Sequence, residues 1–171
     1  MKRTSFVILF IFFASAVSSQ TVAGESTLKA AFIYNFTKYI EWKSEDMQTD
    51  FIIGVIGSSP VTTPLTEISK TNKAKNRKII IRYYEKPEDI DSCNILFIPR
   101  SRSFTLGSIL EHASKGMLTI SEEPGSAKEG TALNFITVGN KLKFEANLDV
   151  INAASLSASS QLLKLAIIVG K

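Results

Sequence analysis

Four short runs constrain the fold of this chain more than anything else in it. Residues 51–57 (FIIGVIG), 78–84 (KIIIRYY), 93–99 (CNILFIP) and 117–121 (MLTIS) are apolar nearly throughout, and polar turn residues follow each. Runs of this length, rich in β-branched residues and apolar on both sides, are the pattern of strands buried on both faces. Between them the sequence reads as helix or turn. A helix is predicted over 64–70, where Pro64 suits the first turn. A turn or short helix is predicted over 86–92, and a helix over 104–115 that stops at Gly116. Strands alternating with helices give a parallel sheet covered on both sides.

The pattern then changes. Residues 131–138 (TALNFITV) and 141–147 (KLKFEAN) are separated by Gly139-Asn140, a tight-hairpin signal. In the second of them Leu142, Phe144 and Ala146 alternate with Lys143, Glu145 and Asn147, so one face is buried and the other wet. An antiparallel pair is expected at one side of the sheet. From Asp149 to Val169 the chain reads as helical, with a break near Ser155, and 71–78 (TNKAKNRK) reads as a polar basic loop. The expectation is one α/β domain, a mostly parallel sheet flanked by helices with a C-terminal antiparallel hairpin.

The first residues follow a different logic. Lys2 and Arg3 precede an apolar run from Phe6 to Phe13 and then a set of small residues, the layout of a secretory signal peptide. The run falls short of the roughly 20 apolar residues that span a bilayer. Cleavage is expected after Ser19, with Ala16 and Ala23 as alternatives, leaving 20–171 as the mature domain. No cysteine lies near the cut to carry a lipid. Export takes Lys2 and Arg3 away and leaves 18 basic residues against 16 acidic, a net charge of +2. That balance does not point to a nucleic-acid partner. The expected location is the periplasm or the cell exterior.

Catalytic chemistry finds little support in the residues. The single histidine, His112, sits beside Glu111 on a predicted helix, and no serine lies in a nucleophile-elbow pattern. One His and one Cys offer no zinc-ligand spacing, and no cofactor or metal is expected. Cys93 has no partner for an internal disulfide and reads as a small buried hydrophobe, the alternative being a reactive thiol. Two turns qualify as ligand-binding candidates, the alternative for each being an ordinary solvated turn into a helix. Ser58 and Ser59 follow the first strand, and Arg100, Ser101 and Arg102 follow the third. Ends of parallel strands at a topological switch form the usual ligand crevice, and arginines there suit a carboxylate or phosphate. The acidic turn 121–125 (SEEPG) would border the same crevice. The basic stretch Lys73, Lys75, Arg77 and Lys78 would meet lipid phosphates or an acidic partner, or be a solvated loop.

The helix near the mature N-terminus poses a separate question. On a helical projection Leu28, Ala31, Phe32, Phe36, Tyr39 and Trp42 share one face, and Asn35 projects inside it. A buried amide without partners costs on the order of 1–3 kcal/mol. Asn35 is therefore expected to bind backbone groups where two elements meet, the alternative being direct partner contact, whereas Thr37, Lys38 and Glu41 point away. Tyr34 and Lys38, outward of this face, are candidates for partner contact.

Two segments, LKAAFIYNFTKYIEW (residues 28–42) and FEANLDVINAASLSASSQLLKLA (residues 144–166), resemble the paired signatures of the YfiR family. CNILFIPRS followed by GMLTISEEPG is similar to the family's middle in order and spacing. The resemblance implies a periplasmic α/β regulator that is not an enzyme. Such regulators bind the periplasmic sensor region of an inner-membrane diguanylate cyclase and hold it inactive, controlling biofilm formation through cyclic di-GMP. An outer-membrane lipoprotein sequesters them, and members self-associate, which implies a homodimer. A sensor histidine kinase or another membrane receptor is the alternative partner. Two departures stand out. The family's cysteine pairs are missing, with only Cys93 present, and Lys43 stands where proline usually follows the tryptophan.

Partner-binding candidates are thus Tyr34, Lys38, Arg100 and Arg102. The alternative function is a periplasmic receptor for a small molecule or anion, held by Ser58, Ser59, Arg100, Ser101 and Arg102. The export reading is checked by N-terminal sequencing of the protein from its native cells. The expected first residue is Gln20, or one set by the alternative cuts, and a chain that begins at Met1 would refute export.

Overall fold

The computed structural model describes residues 16–43 and 50–170. The expected signal segment lies mostly outside them. Helix α1 (Ala16–Tyr39) runs directly into a short strand, β1 (Ile40–Trp42). The alternating part follows: β2 (Phe51–Ile56), α2 (Thr62–Thr71), β3 (Lys73–Ala74), β4 (Arg77–Tyr84), β5 (Ile95–Ile98), α3 (Leu106–Glu111) and β6 (Leu118–Ser121). After a one-turn helix, α4 (Ser126–Glu129), come the hairpin strands β7 (Leu133–Val138) and β8 (Lys141–Asn147). The chain closes with α5 (Leu148–Ala153), β9 (Leu156–Ala158), α6 (Ser160–Leu165) and β10 (Ile167–Val169).

All four apolar runs are strands of one eight-stranded sheet, in the order β10-β8-β7-β6-β5-β2-β4-β3. From β4 through β7 the neighbours are parallel. Every residue of β5 and of β6 is buried, which is why neither shows an alternating pattern. One face of the sheet carries the larger core, with Phe51, Ile53, Val55, Ile95, Phe97 and Ile120 under α1 and α2. The other face packs Ile56, Leu96 and Ile98 against Leu106 and Ile109 of α3. The hairpin turn falls at Gly139 and Asn140, both with positive φ (53° and 60°), as a two-residue turn matched to strand twist requires.

Four expectations need correction. The basic loop 71–78 contains a second tight hairpin, in which Lys75 (φ 50°) and Asn76 (φ 62°) form the turn and β3 pairs antiparallel with β4. Arg77 is consequently not a solvated loop residue. It is buried, donates to the Asp50 carbonyl at 2.5 Å and lies over the Phe51 ring. The helix expected over 104–115 is shorter, because residues 100–105 form a 3-10 turn and α3 ends at Glu111. The C-terminal helix is divided. Ser155 takes a left-handed φ of 61°, where the break was expected, but the chain then forms β9 against β1, the Ser159-capped α6, and β10. Since β10 pairs parallel with β8, the hairpin does not lie at the margin of the sheet.

The fourth correction concerns α1. Its buried face is Ser26, Ala30, Ile33, Phe36 and Thr37, continued by Ile40 of β1, whereas Leu28 is 46% exposed. Apolar residues surround this helix, so periodicity alone did not select the face; the sheet did. Thr37 is tolerated inside because its hydroxyl donates to the Tyr34 carbonyl at 2.7 Å. Asn35 is only half-buried, and its side-chain oxygen accepts from the Lys38 ammonium at 3.0 Å rather than from buried backbone. Trp42 is in β1, with its indole N–H donating to the Gly116 carbonyl at 2.8 Å.

Phe36 is the anchor of the helix, 1% exposed and 5.1 Å from the Phe144 ring centroid. Phe36→Ala is expected to cost about 3–5 kcal/mol in a urea melt. Asn35→Leu is expected to stay within about 0.5 kcal/mol. The opposite ranking would mean that the helix is packed on another face.

Candidate functional site

From β2 the chain crosses through α2 to β4 on one side, then returns to β5 on the other. The loops leaving β2 and β5 therefore diverge, and a crevice opens at the carboxyl ends of these strands. It measures about 230 Å³ and is lined by Pro60 and Val61 after β2, Arg100 after β5 and Glu122 after β6, with Glu25, Ser26 and Lys29 of α1 as its outer wall.

Charge fills this crevice, and most of it is matched. The Lys29 ammonium lies 2.6 Å from Glu25 Oε1 and 2.6 Å from Glu122 Oε2. Burial pulls that ammonium down, but hydrogen bonds to Glu122 and Glu25 and their charges outweigh it, and its pKa is raised. Arg100 donates its backbone N–H to Glu122 Oε1 at 3.0 Å and a guanidinium N–H to the Glu122 carbonyl at 3.2 Å. Its Nε pairs with Glu123 at 2.9 Å. Two cations thus face three carboxylates, a balance that does not attract an added anion. The acidic turn does border the crevice.

The other sequence candidates are dispersed. Ser58 and Ser101 are exposed, and Ser59 is buried with its hydroxyl oxygen accepting from Val61 N–H at 3.2 Å, a local serine turn ahead of α2. Arg102 does not line the crevice. Its guanidinium lies against Gly57 where a Cβ would stand, and Gly57 has φ 74°, so only glycine admits both the turn and the arginine. Tyr34 and Lys38 are further along α1, with the Lys38 ammonium 4.5 Å over the Tyr34 ring. Lys38 is exposed as expected, but Tyr34 does not point outward: it is half-buried and packs against the core, and its hydroxyl reaches the Lys73 carbonyl at 3.5 Å. His112 is exposed, with its ring on the Ser108 carbonyl. Cys93 is buried, and burial pushes its thiol up to about 12, so little thiolate exists at neutral pH. Sequence reasoning missed Lys29, although Glu25 and Lys29 stand four residues apart on one helix, the spacing of an ion pair.

The family model described as YfiR/HmsC-like matches residues 26–167, from the crevice wall of α1 to the first residue of β10. The chain belongs to the YfiR/HmsC-like family. No curated protein matches it. The family is known for periplasmic regulators, regulatory rather than catalytic in general. In this YfiR/HmsC-like chain no helix among the described residues is long and apolar enough to cross a membrane.

The YfiR/HmsC-like match takes in both Lys29 and Glu122, whose side chains are each 13% exposed. Glu122→Gln keeps the shape and removes the charge that holds Lys29. It is expected to cost about 1.5–3 kcal/mol in a denaturant melt. A loss under about 0.5 kcal/mol would show that the pair does not hold α1 over the strand ends.

Proposed function

We propose that this protein is an exported periplasmic regulator that docks on the sensor region of an inner-membrane protein, a diguanylate cyclase, and restrains it. The observation that carries this reading is the family match over residues 26–167. A sensor histidine kinase is the alternative partner. The docking surface is assigned to the outer side of α1 and the adjoining strand ends, with Tyr34, Lys38, Arg100 and Arg102 as contacts. An outer-membrane lipoprotein would compete for the regulator, and a homodimer is its own second state.

The small-anion reading draws less support. The crevice lies below the roughly 300–1,000 Å³ of usual small-molecule pockets, and its cations are already matched by carboxylates. A surface that meets another protein needs no such cavity.

The test retains solubilised inner membranes on the tagged mature protein, identifies the partner by mass, and measures its affinity. Alanine at Lys38, Arg100 or Arg102 is expected to leave the melt near its original midpoint, whereas alanine at Tyr34, whose ring packs against the core, also lowers that midpoint. At a hot spot it weakens partner binding by about 2 kcal/mol or more, near thirtyfold. Retention of no membrane protein would contradict docking, and unchanged affinity in all four variants would contradict the surface.

A further inference from the structure

Among the described residues, strand β4 leaves a long margin of the sheet unpaired. Strand β4 has eight residues, but β3 covers only Arg77 and Lys78. From Ile79 to Tyr84, among the described residues, no strand pairs on the outer side. The Tyr84 carbonyl accepts from Gly57 N–H toward β2. Since backbone groups alternate along a strand, Ile79, Ile81 and Tyr83 turn theirs outward. Proteins blunt such margins with proline, a bulge, a covering element or charged side chains, lysine above all; here the charges are basic, which discourages a second copy and leaves the edge open to an acidic strand. The sequence of β4 has no proline, and its pairing with β2 runs without a bulge from Phe51↔Ile79 to Ile56↔Tyr84.

Beside this margin, between α2 and β4, runs an open groove of about 530 Å³. Its lining includes Ile79, Ile81 and Tyr83, and it carries lysines at 70, 73 and 78 with no carboxylate. Lys70 is matched by Glu67 at 2.7 Å. Lys73 and Lys78 are exposed and have no ion pair among the described residues.

We propose that the outer edge of β4 accepts an extended acidic segment of a partner protein as an added strand. Main-chain hydrogen bonds to Ile79, Ile81 and Tyr83 would give the affinity, and Lys73 and Lys78 would select acidic side chains. The free edge, at about 3.3 Å per residue, runs about 20 Å and suits a segment of five or six residues. A second copy of this chain fits less well, because its own β4 edge brings further lysine and no acid to the seam. The proposal rests on the docking reading and gives that partner a recognition element.

The test uses the mature protein and a soluble capped peptide of about ten residues with alternating valine and glutamate. A lysine counterpart of the peptide serves as control. The glutamate peptide is expected to bind, more weakly as salt rises, and the lysine peptide about tenfold less well or worse. Ile81→Pro removes one outward N–H at an edge position where proline is tolerated, and is expected to weaken binding by about tenfold or more. Lys73→Glu with Lys78→Glu is expected to reverse the preference between peptides, which decides the matter even if the proline variant fails to fold. Equal binding of the two peptides, no binding of the glutamate peptide, or undiminished binding by folded Ile81→Pro would overturn the proposal. So would a dimer in sedimentation that Ile81→Pro dissolves, since the edge would then belong to a second copy. The assay contains no membrane protein, so its failure removes the strand acceptor alone, and the membrane retention experiment judges docking separately.

Discussion

The packing of Phe36 between Phe135 and Phe144 is the contact on which the rest of the molecule depends. Its ring stacks on Phe135 at 6.0 Å and meets Phe144 edge-on at 5.1 Å, and Phe32 touches the same three rings from the next turn. Aromatic pairs of this kind contribute about 0.5–1.5 kcal/mol each beyond the area they bury. They fix α1 against the hairpin, and two consequences follow. Toward its N-terminal half the helix is carried across the strand ends, where Lys29 meets Glu122 from 93 residues away. At its other end the chain is delivered into β1, which pairs with β9 and ties the C-terminal segment to the start of the domain.

The two faces of the sheet divide the work differently. The face under α1 and α2 is a continuous apolar core. The opposite face carries a polar clamp, in which Arg82 binds both oxygens of Asp91 and the Tyr84 hydroxyl donates to the same carboxylate. The hydrogen bond from Arg82, then that from Tyr84, holds the Asp91 carboxyl below its usual range. This clamp covers Gly54, where a Cβ would collide with the Tyr84 ring at 2.6 Å and stand 3.2 Å from the Cys93 sulfur. Cys93 therefore belongs to the wall of a core and not to an exposed redox site. The family's regulatory character is consistent with a chain whose buried groups are spent on holding shape.

How much of this the sequence disclosed depended on how local each signal was. The parallel strands were legible because burial on both faces leaves an unbroken apolar run, and Gly139-Asn140 announced its hairpin through backbone conformation alone. Strands β3, β9 and β10 were not legible. At two or three residues each they exist because a neighbour pairs with them, and IIV at 167–169 reads equally well as the end of a helix. The face of α1 was misplaced because Leu28 and Ile33 are equally apolar and only the sheet distinguishes them. At the strand ends, Arg100 and the acidic turn were found from their position after apolar runs. Their mutual neutralisation, and the entry of Lys29, depend on contacts between distant segments that no spacing rule reports.

The central claim is that the molecule acts through the outer side of α1 and the adjoining strand ends on a membrane protein. The most direct measurement is photo-crosslinking in living cells, with a photoreactive residue placed in turn at Lys38, at Arg100 and at His112, the residue that follows α3. The account predicts an adduct with an inner-membrane protein from position 38 or 100 and none from 112. Adducts of equal yield from position 112, or no membrane-protein adduct from 38 and 100, would contradict it.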